Sequence, residues 1–172
     1  ETEIAEQTKI IENMINLGVD AIALAPLNNQ AQRKPVQSAV DNGIPVVVFD
    51  SSIDGTAHSS FVATDNQLGG SLAAGFLSKQ IGSTGKVVVF RYVQGTASTA
   101  KRSDGFIETA TAAGLNIAAD PFSESGTLEG SKSVVANTLE RFIENGKLAL
   151  DGIFAANLTT TLGVSSALDD LR

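Results

Sequence analysis

The chain has 172 residues, which is enough for one ordinary domain or for two small or incomplete ones. Its hydrophobic fraction of 42% is sufficient for a packed core, and its net charge of −7 disfavours direct binding to nucleic acid, because an acidic surface repels phosphates. The absence of cysteine excludes disulfides, thiolate catalysis and cysteine-ligated metals, and no apolar run is long enough to predict a membrane-spanning helix.

Helical and strand-like patterns alternate along the whole chain. Helices are predicted at residues 4–17, 33–42, 67–81, 98–113, 128–146 and 158–171. Strands are predicted at residues 19–26, 44–50, 61–64, 86–93, 115–119 and 151–157. This alternation predicts an α/β fold whose parallel sheets are flanked by helices on both faces.

An abrupt change from strand to helix at residues 64–67 predicts a crossover between two lobes. Residues 1–64 then form part of an amino-terminal lobe, and residues 65–172 form part of a carboxyl-terminal lobe. Asp65 and Asn66 have side chains that can cap the following helix, and we expect them to act as the hinge rather than to bind a ligand.

Two further observations concern the organisation of the chain. The segments GVDAIALAPLN (18–28) and ALDGIFAANLT (149–159) share an Asp, a small residue and an Ile before an apolar strand. Either these strands are equivalent in two similar lobes, or they show only the general likeness of βαβ units. The chain begins with Glu1 and stops at Arg172 within a predicted helix, so we expect a fold truncated at both ends.

The segment NGIPVVVFDSS (42–52) is a buried strand that ends on a carboxylate, Asp50. Ligands of parallel sheets bind outside the carboxyl ends of the strands, so Asp50 lies where a ligand is expected. Its two oxygens can accept hydrogen bonds from neighbouring hydroxyls of a small polar molecule. The alternative is that Asp50 only caps a turn with Ser51 and Ser52.

Two residues of the second half are further candidates for ligand binding. Arg102 lies near the start of helix 98–113, where the helix dipole opposes a cation, so a polar or anionic partner is expected. Its planar donors suit neighbouring hydroxyls, although Arg102 could instead pair with Asp104 or Glu108 on the surface. Asn157 ends the last predicted strand; its amide offers a donor and an acceptor, or it caps the helix that follows.

Sequence signatures of catalysis and of cofactor binding are not met. The segment GSTGK (82–86) lacks the glycine spacing of a phosphate loop, and Val87 follows where Ser or Thr is needed. The GxGxxG and GxSxG motifs are absent, and the only histidine, His58, lies in a polar loop. The chain is therefore predicted not to be an enzyme, and neither a cofactor, a catalytic residue nor a metal site is expected.

Four segments in order and spacing resemble the type I periplasmic sugar-binding proteins: GIPVVVFD, VATDNQLGG, GTASTAKRSDGF and DGIFAAN. The ribose-binding branch is the most similar, and the regulatory cores of LacI-type repressors share this fold. The resemblance covers essentially the whole chain. It implies two Rossmann-like lobes, joined by three crossovers, that close on a sugar about a hinge.

The resemblance also implies roles for individual residues. Asp50 matches the acceptor of sugar hydroxyls in the first lobe, and Arg102 and Asn157 match two ligands of the second lobe. Ser51 completes the expected ligand set but departs from the ribose binders, which carry an arginine there. Ser125 falls where an aromatic residue is expected. These departures concern which sugar binds and leave the sugar class unchanged.

The function that the resemblance implies is carbohydrate transport. The protein would capture a monosaccharide between two lobes by hinge closure and deliver it to the permease of an ABC importer. We expect a monomer located in the periplasm, or an extracellular lipoprotein in a Gram-positive bacterium. The alternatives are the ligand-binding core of a LacI-type transcriptional repressor and a chemoreceptor or quorum-signal binding protein.

Overall fold

The computed structural model describes residues 3–171 and divides the chain into two compact units. Unit 1 runs to Thr64 and also includes Gly95–Ser98, and unit 2 consists of Asp65–Gln94 and the residues from Thr99 onward. The first division lies within the predicted crossover. That the two units are the lobes of a binding protein remains a prediction.

The elements alternate between helix and parallel strand, and the predicted α/β fold is confirmed. The helices are α1 (Glu3–Leu17), α2 (Arg33–Asp41), α3 (Asn66–Ile81), α4 (Ala97–Ala112), α5 (Leu128–Glu140) and α6 (Leu158–Asp170). The strands are β1 (Ile22–Leu24), β2 (Val46–Phe49), β3 (Ser60–Val62), β4 (Lys86–Phe90), β5 (Asn116–Ala119), β6 (Ile143–Glu144), β7 (Lys147–Leu148) and β8 (Gly152–Ala155). Within the described residues, no helix is both long and apolar enough to cross a membrane.

The helix predicted at residues 128–146 is wrong beyond Glu140, because the chain turns there into a small hairpin. Strands β6 and β7 pair antiparallel, with φ of 52° at Asn145 and 72° at Gly146. Two consecutive residues with positive φ form a type I′ turn, for which Asn-Gly is a preferred sequence. Asn145 and Gly146, the last two residues of the predicted helix, are therefore the turn of the hairpin.

Unit 1 contains a parallel sheet in the order β1-β2-β3. Helices α1 and α2 both pack on the same side of this sheet. Ile11 and Val36 of these helices pack there against Val46 and the other inward residues of the strands. On the opposite face, Val47 and Phe49 remain 40% and 45% exposed, so the expectation of helices on both faces is not met by the described residues of unit 1.

Unit 2 contains a parallel sheet in the order β5-β4-β8. The chain moves from β4 to one neighbour and then passes over β4 to the other, so right-handed connections place α4 and α5 on opposite faces. Phe106 of α4 packs against Val87 and Val89, whereas Val135 of α5 packs against Val88. The prediction of a sheet flanked on both faces is confirmed for this unit.

The spacing of Leu68, Leu72, Phe76 and Leu77 in the sequence predicts that these residues form the buried face of α3, and the structure shows a different face. Leu68, Leu72 and Phe76 are 53%, 65% and 67% exposed, whereas Ala74 is buried and Leu77 is only partly buried. Where α3 crosses α4 at Gly70, the two backbones leave no room for a large side chain, whereas Leu77 and Ile81 further along α3 pack against the core. Apolar residues occur all round this helix, so periodicity alone did not identify the buried face.

Glycines allow the backbones of α3 and α4 to touch. A methyl group on Gly70 would overlap the carbonyl oxygen of Arg102 and would lie 2.7 Å from the backbone nitrogen of Phe106. A methyl group on Gly105 of α4 would overlap the carbonyl oxygen of Gln67 of α3. This crossing fixes the start of α3 next to the second turn of α4.

The substitution Gly70→Ala is therefore expected to lower the free energy of unfolding by about 1–3 kcal/mol, because the added methyl group forces the two helices apart. Gly69→Ala is the matched control: no atom lies within 4 Å of the added methyl group, and the higher helix propensity of alanine should add up to ~1 kcal/mol. Urea unfolding followed by far-ultraviolet circular dichroism measures both. Equal stability of the two variants would show that the crossing is not tight.

Candidate functional site

The backbone at Asp50 is unusual. Asp50 directly follows β2 with a φ of 63°, and the Ser51 nitrogen donates a hydrogen bond to the Phe49 carbonyl oxygen at 2.7 Å. A hydrogen bond across three residues with positive φ at the centre is a γ-turn of the rare, strained kind. Among the described residues the other non-glycine with positive φ is Asn145, which the hairpin explains. Strain of this kind at the end of a strand is typical of functional positions.

The side chains of Asp50 and Ser51 point to different environments. Asp50 is exposed, and its carboxylate makes no hydrogen bond or ion pair with any residue in the described part of the chain. The alternative role for Asp50, capping a turn with Ser51 and Ser52, is therefore not observed. Ser51 is only 2% exposed, and its Oγ accepts a hydrogen bond from the Ser98 nitrogen at 3.2 Å. Ser98 belongs to unit 1, so this hydrogen bond lies within that unit.

Three hydrogen bonds hold the guanidinium of Arg102. Its Nε and Nη2 donate to Oδ1 of Asn66 at 3.2 Å and 2.6 Å, and its Nη1 donates to the carbonyl oxygen of Ala156 at 2.6 Å. A guanidinium has five N–H donors, so two remain without a partner among the described residues. Both acceptors are buried, which fixes the orientation of the group.

The alternative pairing of Arg102 with Asp104 or Glu108 is wrong, because other residues bind these carboxylates. Asp104 forms an ion pair with Arg91 at 2.9 Å, and Glu108 accepts a hydrogen bond from Nε2 of Gln67 at 2.6 Å. Within residues 3–171, Arg102 has no carboxylate partner. Its positive charge is therefore not neutralised by a carboxylate among the described residues.

Arg91 is a residue that the sequence analysis missed. It directly follows β4, is 14% exposed, and lies between the carboxylates of Asp104 and Asp120, the latter 3.3 Å from its Nε. Its guanidinium also lies over the ring of Phe122, 5.1 Å from the centroid. The same signal that identified Asp50, a charged residue immediately after a buried strand, could have identified Arg91.

Asn157 caps α6, which is the alternative role that the sequence analysis gave it. Its Oδ1 accepts a hydrogen bond from the Thr160 nitrogen at 3.0 Å, and Oγ1 of Thr160 accepts one from the Asn157 nitrogen at 3.0 Å, which makes a capping box. The amide nitrogen Nδ2 has no partner among the described residues. Because Oδ1 is engaged in the cap, the group that Asn157 can offer to a ligand is a donor.

The elements of unit 2 bring Arg102 and Asn157 to the same place. Strands β4 and β8 are adjacent and parallel. Helix α4 follows β4 on one face, and α6 follows β8 on the other face, where Ala167 packs with the residues of α5. Ligands of α/β sheets bind at such a switch point, outside the carboxyl ends of the strands. The hydrogen bond from Arg102 of α4 to Ala156, which directly follows β8, connects the two elements at this switch point.

The two residues expected to form the hinge have different local roles. Asp65 caps α3, because its side chain accepts a hydrogen bond from the Leu68 nitrogen at 3.0 Å, and this part of the prediction is confirmed. Asn66 does not cap the helix but accepts hydrogen bonds from Arg102. The hinge role of both residues remains a prediction. In the described part of the chain, acidic and histidine side chains form no group of three that could hold a metal ion.

A family model described as a periplasmic binding protein domain matches residues 1–172. The chain belongs to this family. The ribose import binding protein RbsB of Bacillus subtilis is 30% identical over 169 residues, and the D-ribose/D-allose-binding protein of Pseudomonas aeruginosa is 31% identical over 174 residues. Each match covers 98% of this chain and 53% of the relative. The chain thus spans about half the length of the curated relatives it matches.

A solved structure shares the fold of this chain. It is an ABC transporter solute-binding protein from Agrobacterium vitis with bound D-fucose, with a TM-score of 0.88 and 33% sequence identity. The match covers 98% of this chain and 57% of that chain. The resemblance to type I periplasmic sugar-binding proteins is confirmed by these findings together.

The strained turn at Asp50 leads to a prediction about stability. Asp50→Gly and Asp50→Ala both remove the carboxylate, so a difference between them isolates the backbone conformation. Asp50→Ala is expected to be less stable by about 1 kcal/mol, because a residue with a Cβ atom is disfavoured at positive φ. Thermal unfolding of the two variants measures the difference. Identical midpoints would contradict the positive φ at this position.

Proposed function

We propose that the chain is part of a solute-binding protein that captures a monosaccharide and delivers it to an ABC importer. The observation that carries this proposal is the guanidinium of Arg102, which is held at the switch point of unit 2 beside Asn157 with unused donors. The complete protein would be a monomer in the periplasm, or an extracellular lipoprotein in a Gram-positive bacterium. Its partners would be the sugar and the membrane permease.

The chemistry of the candidate residues suits a neutral, hydroxyl-rich ligand. Arg102 and Asn157 offer N–H donors, and Asp50 offers two acceptor oxygens. A sugar hydroxyl can accept from one group and donate to another, so a monosaccharide can satisfy donors and acceptors together. An anionic ligand would suit Arg102 but would be repelled by Asp50. The names of the relatives, which include ribose and allose, support the same class.

The proposed mechanism is hinge closure without any covalent step. A sugar that contacts Asp50 of one lobe and Arg102 of the other can do so only when the lobes are shut, so binding shifts the population toward the closed form. Asp65 and Asn66 are the proposed hinge. Ser51 keeps its proposed place in the ligand set next to Asp50, through the donor capacity of its hydroxyl. The permease would recognise the closed form.

The ligand class can be tested by thermal shift of the full-length protein with D-ribose, D-allose and D-fucose. A sugar at 100 times its dissociation constant stabilises the folded state by about 2.7 kcal/mol, so a true ligand should raise the midpoint by several degrees. A midpoint that moves with none of these sugars would contradict the proposal and would favour the repressor-core or chemoreceptor alternative.

The site can be tested with Asp50→Ala and Arg102→Ala. Each substitution leaves polar groups of a bound sugar unpaired and should cost at least ~2 kcal/mol, or about 30-fold in the dissociation constant. Lys101→Ala is the matched control, because Lys101 is exposed next to Arg102 and has no proposed contact with the sugar. Isothermal titration with the sugar that gives the largest thermal shift compares the three variants. Affinity close to wild type in either site variant would contradict the assignment.

A further inference from the structure

The side chain of Asn66 is held inside unit 2 although it opens a helix. Asn66 is 6% exposed, and its Oδ1 accepts hydrogen bonds from two nitrogens of Arg102. We propose that Asn66 is a positioning residue for sugar binding, which acts by orienting the guanidinium of Arg102. This inference rests on the proposed function and adds a residue to which the sequence had assigned only capping and the hinge.

The position of Asn66 is determined by its backbone. The preceding residue, Asp65, caps α3, and one turn later Gly70 touches the backbone of Arg102. The asparagine side chain is short, so its Oδ1 has little freedom once the backbone is placed. The acceptor therefore stays where it meets the Nε edge of the guanidinium.

The two acceptors define which part of Arg102 is available. Asn66 occupies Nε–H and one N–H of Nη2, and the carbonyl oxygen of Ala156 occupies one N–H of Nη1. The remaining donors are one on each of Nη1 and Nη2. A ligand therefore meets the terminal nitrogens of the guanidinium and not its Nε side.

Both acceptors are neutral, which matters for the strength of the interaction. A carboxylate at the same place would hold Arg102 as well but would compensate its charge. Asp104 is the nearby carboxylate on α4, and Arg91 binds it at 2.9 Å. Arg102 is thus oriented without losing its charge, so its hydrogen bonds to a sugar remain charge-assisted.

Loss of this orientation should weaken binding without unfolding the protein. If the guanidinium samples several rotamers, only a fraction of the molecules is ready to bind, and the apparent dissociation constant rises by the inverse of that fraction. We expect Asn66→Ala to reduce sugar affinity about tenfold, in line with the loss of a hydrogen bond to a charged group. Asn66→Asp keeps an acceptor oxygen that orients Arg102 but compensates its charge, so its affinity should lie between those of Asn66→Ala and the unchanged protein.

The first test needs no sugar. In a ¹H–¹⁵N spectrum of arginine side chains, the signal that disappears in Arg102→Lys identifies Nε–H of Arg102. This signal should shift and exchange faster with water in Asn66→Ala, but should remain protected in Asn66→Asp. Gln67→Ala is the matched control, because it removes a side-chain contact between α3 and α4, the one to Glu108, and leaves Arg102 untouched.

The second test is a double-mutant cycle measured by isothermal titration. The probe is whichever of D-ribose, D-allose and D-fucose raises the thermal midpoint most. If Asn66 acts through Arg102, Asn66→Ala should change the affinity by less than about twofold in an Arg102→Ala background. Gln67→Ala should leave the affinity of the otherwise unchanged protein within about twofold.

The outcomes separate this inference from the proposed function. An unchanged Nε–H signal in Asn66→Ala, or an undiminished loss of affinity in the Arg102→Ala background, would overturn the positioning role and would leave Asn66 as a hinge residue. If the wild-type protein binds none of the three sugars, the proposed function fails for them. The spectra of Asn66→Ala, Asn66→Asp and Gln67→Ala then decide the positioning role alone.

Discussion

The parallel direction of the strands is the constraint on which both units depend. Parallel strands end at the same edge of a sheet, so the residues that follow them gather there whatever their distance in sequence. In unit 2 the sheet order also reverses at β4, which sends α4 and α6 to opposite faces. Arg102 lies in α4 and Asn157 caps α6, so the sheet order brings the two residues to the same edge, and no local property of either residue could do so.

The contact between α3 and α4 determines where the guanidinium of Arg102 is held. Gly70 and Gly105 let the two backbones touch, and this contact places Asn66 against the guanidinium of Arg102. The packing of small residues thus has a chemical consequence, because a wider crossing would move the Asn66 oxygen out of hydrogen-bond distance.

The candidate residues differ in their hydrogen-bond and charge partners. Arg102 is held by neutral acceptors and keeps its charge, whereas Arg91 is paired with two carboxylates and packed on an aromatic ring. Asn157 caps α6 through its Oδ1, which leaves its Nδ2 as a donor for a ligand. Asp50 is exposed on a strained turn, and its carboxylate has no partner among the residues that the structure describes. The strain at Asp50 and the unpaired charge of Arg102 are costs that a stability argument alone does not explain.

The sequence by itself determined the α/β class and nearly all helices and strands, because periodicity is a local signal. It also proposed Asp50, Arg102 and Asn157 as candidate ligand residues, mainly from their positions next to predicted strand and helix ends. It also carried the Asn-Gly signal of the hairpin, although the helix prediction overrode it. Only the tertiary structure decided that Asn66 orients Arg102, that Asp104 pairs with Arg91 and that the large apolar residues of α3 face outward. The physical reason is that these contacts depend on which helix faces approach each other, and the close contact at Gly70 and Gly105 selects those faces.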